Sequence, residues 1–373
     1  MNLLSGMNGL RALAAIIVVV YHLNQQLPTD GLSVSVLAGH NFIARLSLVV
    51  SVFFFLSGFF RALSYWKVLD TPEKIPDFWS SLKDRFFRIA PAYYVALVLS
   101  IIATVLIGNT NSLNMSAILA GFSFTTWMNP DTLFPVILNG PLWFVSFDML
   151  GWILTSLVMM GLFRVGRRYM IPYFLTVILA TFALHELWIS LPWHQTSQFP
   201  ANYWFPLYNP FLFFLHFLFG IIASGIVYTL QKRKVQPHVF FDIGVIIIGI
   251  VFSVFIWFIR DVWDDFAYSY PKGPYYFPWI QILIALGCSI LPFTRYIGTW
   301  LDNRFALFTA KISYSLYLIH GVIIAFLLAF VFRNPLSVQE WGAFVMMTIA
   351  FSYLAAFLLY RFVEVPSIPK KQK

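Results

Sequence analysis

Charge is scarce in this chain. Asp, Glu, Lys and Arg make up 10% of its 373 residues, against about 25% in an ordinary soluble domain. The chain is also 60% hydrophobic, with a mean hydropathy of +0.78. That much apolar surface cannot be hidden in one water-facing core. The balance excludes a soluble enzyme and points to an integral membrane protein. Cysteine is nearly missing as well. Cys288 stands alone in an apolar run, which excludes an intramolecular disulfide and gives no sign of thiol chemistry. There is no Walker loop, no G-x-S-x-G elbow, no G-x-G-x-x-G turn, and no H-E-x-x-H or comparable metal-ligand spacing among the seven histidines. No Gly/Ser linker, charge block or short repeat interrupts the chain, so residues 1–373 read as a single transmembrane domain.

What is present is a long series of apolar runs. We read an all-α polytopic membrane protein of ten helices, near 7–27, 42–65, 88–107, 141–163, 170–191, 207–230, 239–259, 275–294, 310–332 and 341–362. A shorter apolar piece near 115–128 reads as re-entrant or interfacial. The first run has no small-residue cleavage site after it and belongs to the series, so it is not a signal peptide.

The net charge of +9 is a matter of topology rather than of nucleic acid, because the basic residues are scattered between hydrophobic runs. With both termini placed in the cytoplasm, only Arg45, Arg260, Lys272 and Arg333 of the 24 Lys and Arg residues fall on the outer side. Segments 108–139 and 186–207 carry no Lys or Arg at all. This bias supports the inward N-terminus and an even number of spans. Trp and Tyr near the run ends (Trp66, Trp79, Trp188, Trp193, Tyr203, Trp204, Tyr275, Trp279) suit an interfacial belt.

Polar residues inside such runs carry the functional signal, since ionisable groups in a membrane are costly and tend to serve a purpose. In RALAAIIVVVYH, Arg11 and His22 are eleven residues apart. Eleven residues turn a helix by about 1100° and rise about 16 Å, so the two share a face at two depths. The plainer alternative is that Arg11 snorkels to lipid phosphate and His22 serves a helix contact. Asp148, in GPLWFVSFDML, falls at nearly the depth of His22 when counted from the outer end of its own run. An aspartate there is expected to orient His22 or raise its basicity, as the acid does in a Ser-His-Asp arrangement. The alternative is a packing role with another polar side chain.

In RFFRIAP, Arg85 and Arg88 share a face near the cytoplasmic boundary. Guanidinium forks suit phosphate, and an ordinary positive-inside anchor is the competing reading. In ISYSLYLIHG, Ser313, Tyr314, Tyr317 and His320 lie on the ninth run, with Tyr317 and His320 on one face. They either line the same cavity as His22 or hydrogen-bond across helices. His216 and His185 have weaker context, and His194 and His40 fall in outer loops.

Taken in order, six motifs resemble the acyltransferase-3 family of integral-membrane acyltransferases. They are Arg11-x10-His22; FFFLSGFF with Ser57 and Gly58; Arg85-x-x-Arg88 with Ile89 and Pro91; LWFVSFDM with Trp143 and Asp148; ISYSLYLIH; and the closing Glu364-x-Pro366. They run from residue 9 to 366. The family commonly has glutamate where this chain has Asp148, and a serine where it has Phe144. The resemblance implies transfer of an acyl group, most often acetyl, from cytosolic acetyl-CoA to a hydroxyl of a surface glycan or lipid-linked sugar at the outer face. It implies a multi-pass protein of the bacterial plasma membrane, and the lack of any metal-ligand spacing leads us to expect no metal.

His22 and Asp148 are then the catalytic candidates, and Arg11, Arg85 and Arg88 are the acyl-CoA candidates. Ser57, Trp143, Tyr317 and His320 are candidates on the substrate side. His22 serves as general base or as a covalent acyl carrier; we favour the base. The chain is expected to be the stand-alone form, without an appended extracellular hydrolase-like domain. It would then finish the transfer itself or hand the acyl group to a separate acyl-accepting or glycan-assembly protein. A secondary transporter or flippase is the rival class, although no pair of Gly/Pro-broken spans in corresponding halves supports it.

Overall fold

Apolar runs of this length leave the backbone one way to satisfy itself in lipid, which is to form helices. A computed structural model of the chain bears this out. The structure describes residues 4–69, 71, 74–190, 208–258, 278–332 and 336–368, and among these every regular element is helical. Nine helices among the described residues are long and apolar enough to cross a membrane. The expected eighth span enters the description only at its C-terminal part, as the shorter apolar stretch Trp279–Phe293. Trp193, Tyr203, Trp204, Tyr275, His194, Arg260, Lys272 and Arg333 lie outside the described residues.

The helices needed below are α1 (Met7–Asn24), α2 (Val34–Arg45), α3 (Val50–Trp66), α4 (Phe78–Leu106), α5 (Met115–Phe122), α6 (Trp143–Val165), α7 (Met170–Ile189), α8 (Pro210–Lys232), α9 (Val239–Phe258), α10 (Trp279–Ile290), α11 (Ile297–Leu301), α12 (Arg304–Leu327) and α13 (Val338–Leu359). Helix α4 starts ten residues before the expected 88 and places Arg85, Arg88 and Pro91 inside a 29-residue helix. Its first turns carry Lys83 and Asp84, which lower the hydropathy without opposing the helix. The short piece near 115–128 is the eight-residue helix α5 followed by a 3₁₀ turn at Thr126–Met128.

The chain packs as two units. The first comprises Met1–Arg11, Leu48–Phe78 and Phe147–Leu307; the second comprises Ala12–Ser47, Trp79–Ser146 and Phe308–Lys373. In the first unit, α3 and α8 approach backbone to backbone. A Cβ on Gly58 would stand 2.5 Å from the Phe217 carbonyl oxygen, and one on Gly220 would stand 2.2 Å from that of Phe55. Small residues at reciprocal places are what lets two helices approach this closely without a hydrophobic drive between them. Trp66, expected in the interfacial belt, is buried here and donates its indole N–H to the Ile221 carbonyl at 3.0 Å. Trp79 and Trp279 are exposed, as a belt requires.

Two carboxylates finish helix ends in the same unit. Asp302 accepts the N–H groups of Gly6 and Gly9 at 2.8 and 2.9 Å, at the start of α1. Asp242, on α9, accepts those of Arg295, Tyr296 and Ile297 at 2.8, 3.0 and 2.8 Å, at the start of α11. Both meet the orphan donors that open a helix.

In the second unit α12 is tied to its neighbours by polar contacts. The Tyr314 hydroxyl donates to the Ile89 carbonyl on α4 at 3.0 Å, and the Tyr317 hydroxyl donates to the Pro141 carbonyl at 2.7 Å. Asn24, at the end of α1, donates to the His40 carbonyl of α2 at 2.9 Å.

Candidate active site

In the second unit the end of α1 places His22 beside α12. The His22 ring is half-buried and lies 5.1 Å, centroid to centroid, from the ring of His320. Its Nδ1 is 2.9 Å from Gln25 Oε1. The direction of that bond follows from the next one. Gln25 gives its Nε2 hydrogen to the Tyr21 hydroxyl at 2.9 Å, so its Oε1 is the acceptor and His22 Nδ1 carries the proton. In the neutral imidazole, Nε2 then keeps a bare lone pair. Gln25 was not among the sequence candidates. Its spacing of three from His22 on one helix was the available signal.

His320 repeats the pattern in a buried place. Its Nδ1 is 2.8 Å from the Tyr317 carbonyl and 3.2 Å from that of Leu316, acceptors both, so Nδ1 bears the hydrogen. Its Nε2 is buried and has no hydrogen-bond partner among the described residues. Two adjacent imidazoles therefore each hold Nδ1 to a carbonyl oxygen and leave Nε2 as an acceptor.

The segment before α6 frames this pair. Asn139 is fully buried and leaves helical geometry with φ −121° and ψ 61°. It donates its two amide hydrogens to Ser100 Oγ at 3.0 Å and to the Leu318 carbonyl at 2.9 Å. Both hydrogens are used, and Oδ1 is buried without a partner among the described residues. That oxygen packs over Gly321, where a Cβ would come within 2.4 Å of it. Trp143 and Phe144 follow with ring centroids 6.2 Å apart, and Phe144 lies 5.2 Å from Tyr317. Of the sequence candidates, then, this unit gathers His22, His320 and Tyr317 into one cluster, with Trp143 at its edge through Phe144.

Arg85 and Arg88 belong to the second unit too. Arg85 is half-buried and Arg88 exposed.

The remaining candidates belong to the first unit. Arg11 is half-buried on α1. The Ser57 hydroxyl on α3 donates a short hydrogen bond to the buried carboxylate of Asp148 on α6. One turn on, Arg61 donates from Nε to Ser156 Oγ and from Nη2 to the Tyr65 hydroxyl, each at 2.8 Å. Its guanidinium lies over the Trp152 ring at 4.1 Å from the centroid. The α3–α6 pair thus carries two polar rungs, Ser57–Asp148 and Arg61–Ser156. His216 of α8 is buried with Gln281 of α10, whose Nε2 is 3.2 Å from His216 Nε2. No group of three or more His, Cys, Asp or Glu side chains that could hold a metal ion occurs among the described residues.

Comparison with known proteins places this arrangement. The family model described as an acyltransferase domain matches residues 4–361, and the chain belongs to this acyltransferase-3 family. It is therefore a multi-pass membrane protein of the acyltransferase class. Among its relatives are proteins of Staphylococcus aureus strains COL, MSSA476 and MRSA252, named provisionally as O-acetyltransferases. Each is 24% identical over 98% of this chain. The chain spans 57% of the length of each of them. No solved structure matches.

Proposed function

We propose that this protein is an O-acetyltransferase of the bacterial cytoplasmic membrane. It takes acetyl from cytosolic acetyl-CoA and passes it to a hydroxyl of a cell-surface polysaccharide or lipid-linked sugar. The observation that carries the reading is the half-buried His22 ring, with Nδ1–H bound to Gln25 and Nε2 left as a base.

The chemistry follows from that tautomer. Nε2 of His22 takes the proton of the acceptor hydroxyl as its oxygen attacks the thioester carbonyl. The tetrahedral intermediate collapses, the carbon–sulfur bond breaks, and CoA leaves as the thiolate. The imidazolium then returns its proton to the thiolate or to water. Gln25 holds the ring in the required tautomer, the part that the acid plays in a triad. Buried and open, His320 Nε2 accepts a hydrogen bond from the substrate side, and Tyr317 and Trp143 line that side. CoA is multiply anionic, and Arg85 and Arg88 of the second unit are the residues assigned to its phosphates. Asp148 and Ser57 enter the reading as a second polar group whose removal should lower turnover.

Purified protein in nanodiscs, given labelled acetyl-CoA and a hydroxyl acceptor, tests the assignment. CoA release with ester formation, lost in His22→Ala, supports it. Substrate flux across liposomes without CoA turnover would replace it with a transporter. Comparing the ester content of surface glycan from cells with and without the protein identifies the acceptor.

A further inference from the structure

The stretch before α6, Ile137–Leu142, is fastened to α12 at two successive residues, once from each side. The Asn139 amide donates to the Leu318 carbonyl at 2.9 Å, and the Tyr317 hydroxyl donates to the Pro141 carbonyl at 2.7 Å. A carbonyl can only accept, so the nitrogen of the Asn139 amide must face Leu318. Its other hydrogen goes to Ser100 Oγ of α4 at 3.0 Å, and the Ser100 hydroxyl gives its own to the Ala96 carbonyl at 2.7 Å. One buried amide thus joins α4 to α12. The turn that it grips carries His320, whose Nδ1 lies 2.8 Å from the Tyr317 carbonyl and whose ring lies 5.1 Å from that of His22. All of these residues are in the second unit.

We infer that Asn139 is a positioning residue for the imidazole pair: by gripping α12 at Leu318 from α4, it fixes the height of the Tyr317–His320 turn and so the place of the His320 ring beside His22. Between helices in lipid there is no hydrophobic drive, and polar side chains act as the glue that sets their register. A shift of one residue along α12 would carry the ring by about 1.5 Å, more than a hydrogen bond tolerates. Gly321 makes the grip possible, because a Cβ there would come within 2.4 Å of Asn139 Oδ1. The inference rests on the proposed function and deepens it by naming what holds the second imidazole in place.

The test uses full-length protein in nanodiscs with acetyl-CoA and a hydroxyl acceptor, and reads CoA release. Asn139→Leu keeps the size of the side chain and removes both N–H donors. It strands no polar group, since Ser100 keeps Ala96 and the Leu318 carbonyl keeps its place in the helix ladder. The melting temperature should therefore hold. The value of kcat should fall about tenfold, as for the loss of one orienting hydrogen bond, while KM for acetyl-CoA stays within about twofold. In a His320→Ala background Asn139→Leu should add almost nothing, because the ring that it positions is gone. Ser100→Ala removes one of the two acceptors of the amide. It should lower kcat by a smaller factor, and it serves if Asn139→Leu does not fold.

An unchanged kcat in Asn139→Leu would make the clasp a packing feature. A loss that adds in full to that of His320→Ala would mean that the amide acts elsewhere. A raised KM for acetyl-CoA at constant kcat would move Asn139 to the donor side. Each of these results overturns the inference and leaves the proposed function standing. A wild-type protein that releases no CoA overturns both.

Discussion

Two regions, the helix ends of the first unit and the turn around His320 in the second, put their buried polar groups to different uses. In the first, carboxylates are spent on architecture: Asp302 takes two backbone N–H groups at the start of α1, and Asp242 takes three at the start of α11. Nearby, glycines let α3 and α8 touch backbone to backbone. In the second, buried acceptors are left open. His320 Nε2 and Asn139 Oδ1 have no partner among the described residues; the His320 ring lies 5.1 Å from that of His22, and Asn139 Oδ1 packs over Gly321. A buried acceptor without a partner costs about 1–3 kcal/mol. Stability alone gives no reason to leave both open, whereas a site that must receive a hydroxyl does.

This contrast can be broken most decisively at His22. His22→Ala should lower kcat about 10²- to 10⁴-fold, the usual range for loss of a general base, while the melting temperature moves little; steady-state CoA release measures the first and thermal unfolding the second. If turnover survives intact, the base is elsewhere. Gly321→Ala comes next. The new methyl group meets Asn139 Oδ1, and the forced shift should cost about 1–3 kcal/mol and displace the His320 turn, so both activity and melting temperature should fall. Gln25→Ala should keep the fold and lower kcat about tenfold, the value of one orienting hydrogen bond.

The pH profile sharpens the same point. A neutral imidazole is the active form, so kcat/KM should rise with unit slope as pH passes the His22 titration and then level. Gln25→Glu puts a carboxylate on Nδ1, which stabilises the imidazolium. The rising limb should move to higher pH. An unmoved limb would mean that His22 is not the group being titrated. The smallest effect is expected in the first unit. Asp302→Asn should lower stability by about 1 kcal/mol, as for a weakened helix cap, with kcat unchanged.

Particular residues show how far the sequence could be read. His22, Arg85 and Arg88 were legible because an ionisable side chain in an apolar run is costly and conspicuous. Tyr317 and His320 were legible as one face of a helix, though their choice between cavity and helix contact was not. Gln25 passed unnoticed because a glutamine at the end of a span looks like any interfacial residue. Asn139 was missed for a related reason: NGPL reads as a turn, and nothing local says that its amide reaches Leu318, 179 positions on. Trp66 was misplaced in the belt because position along a run gives depth, not which side faces protein.

By itself, then, the sequence determined an all-helical, multi-pass membrane protein and marked out a candidate base and candidate cationic residues. Hydropathy and the cost of charge in lipid are properties of each residue and its near neighbours. Only the tertiary structure decided which nitrogen of His22 is free, which acceptors stay open, and that Asn139 meets Leu318. Those facts depend on which helix faces which, and a period of 3.6 residues says where a face is but not what it will touch.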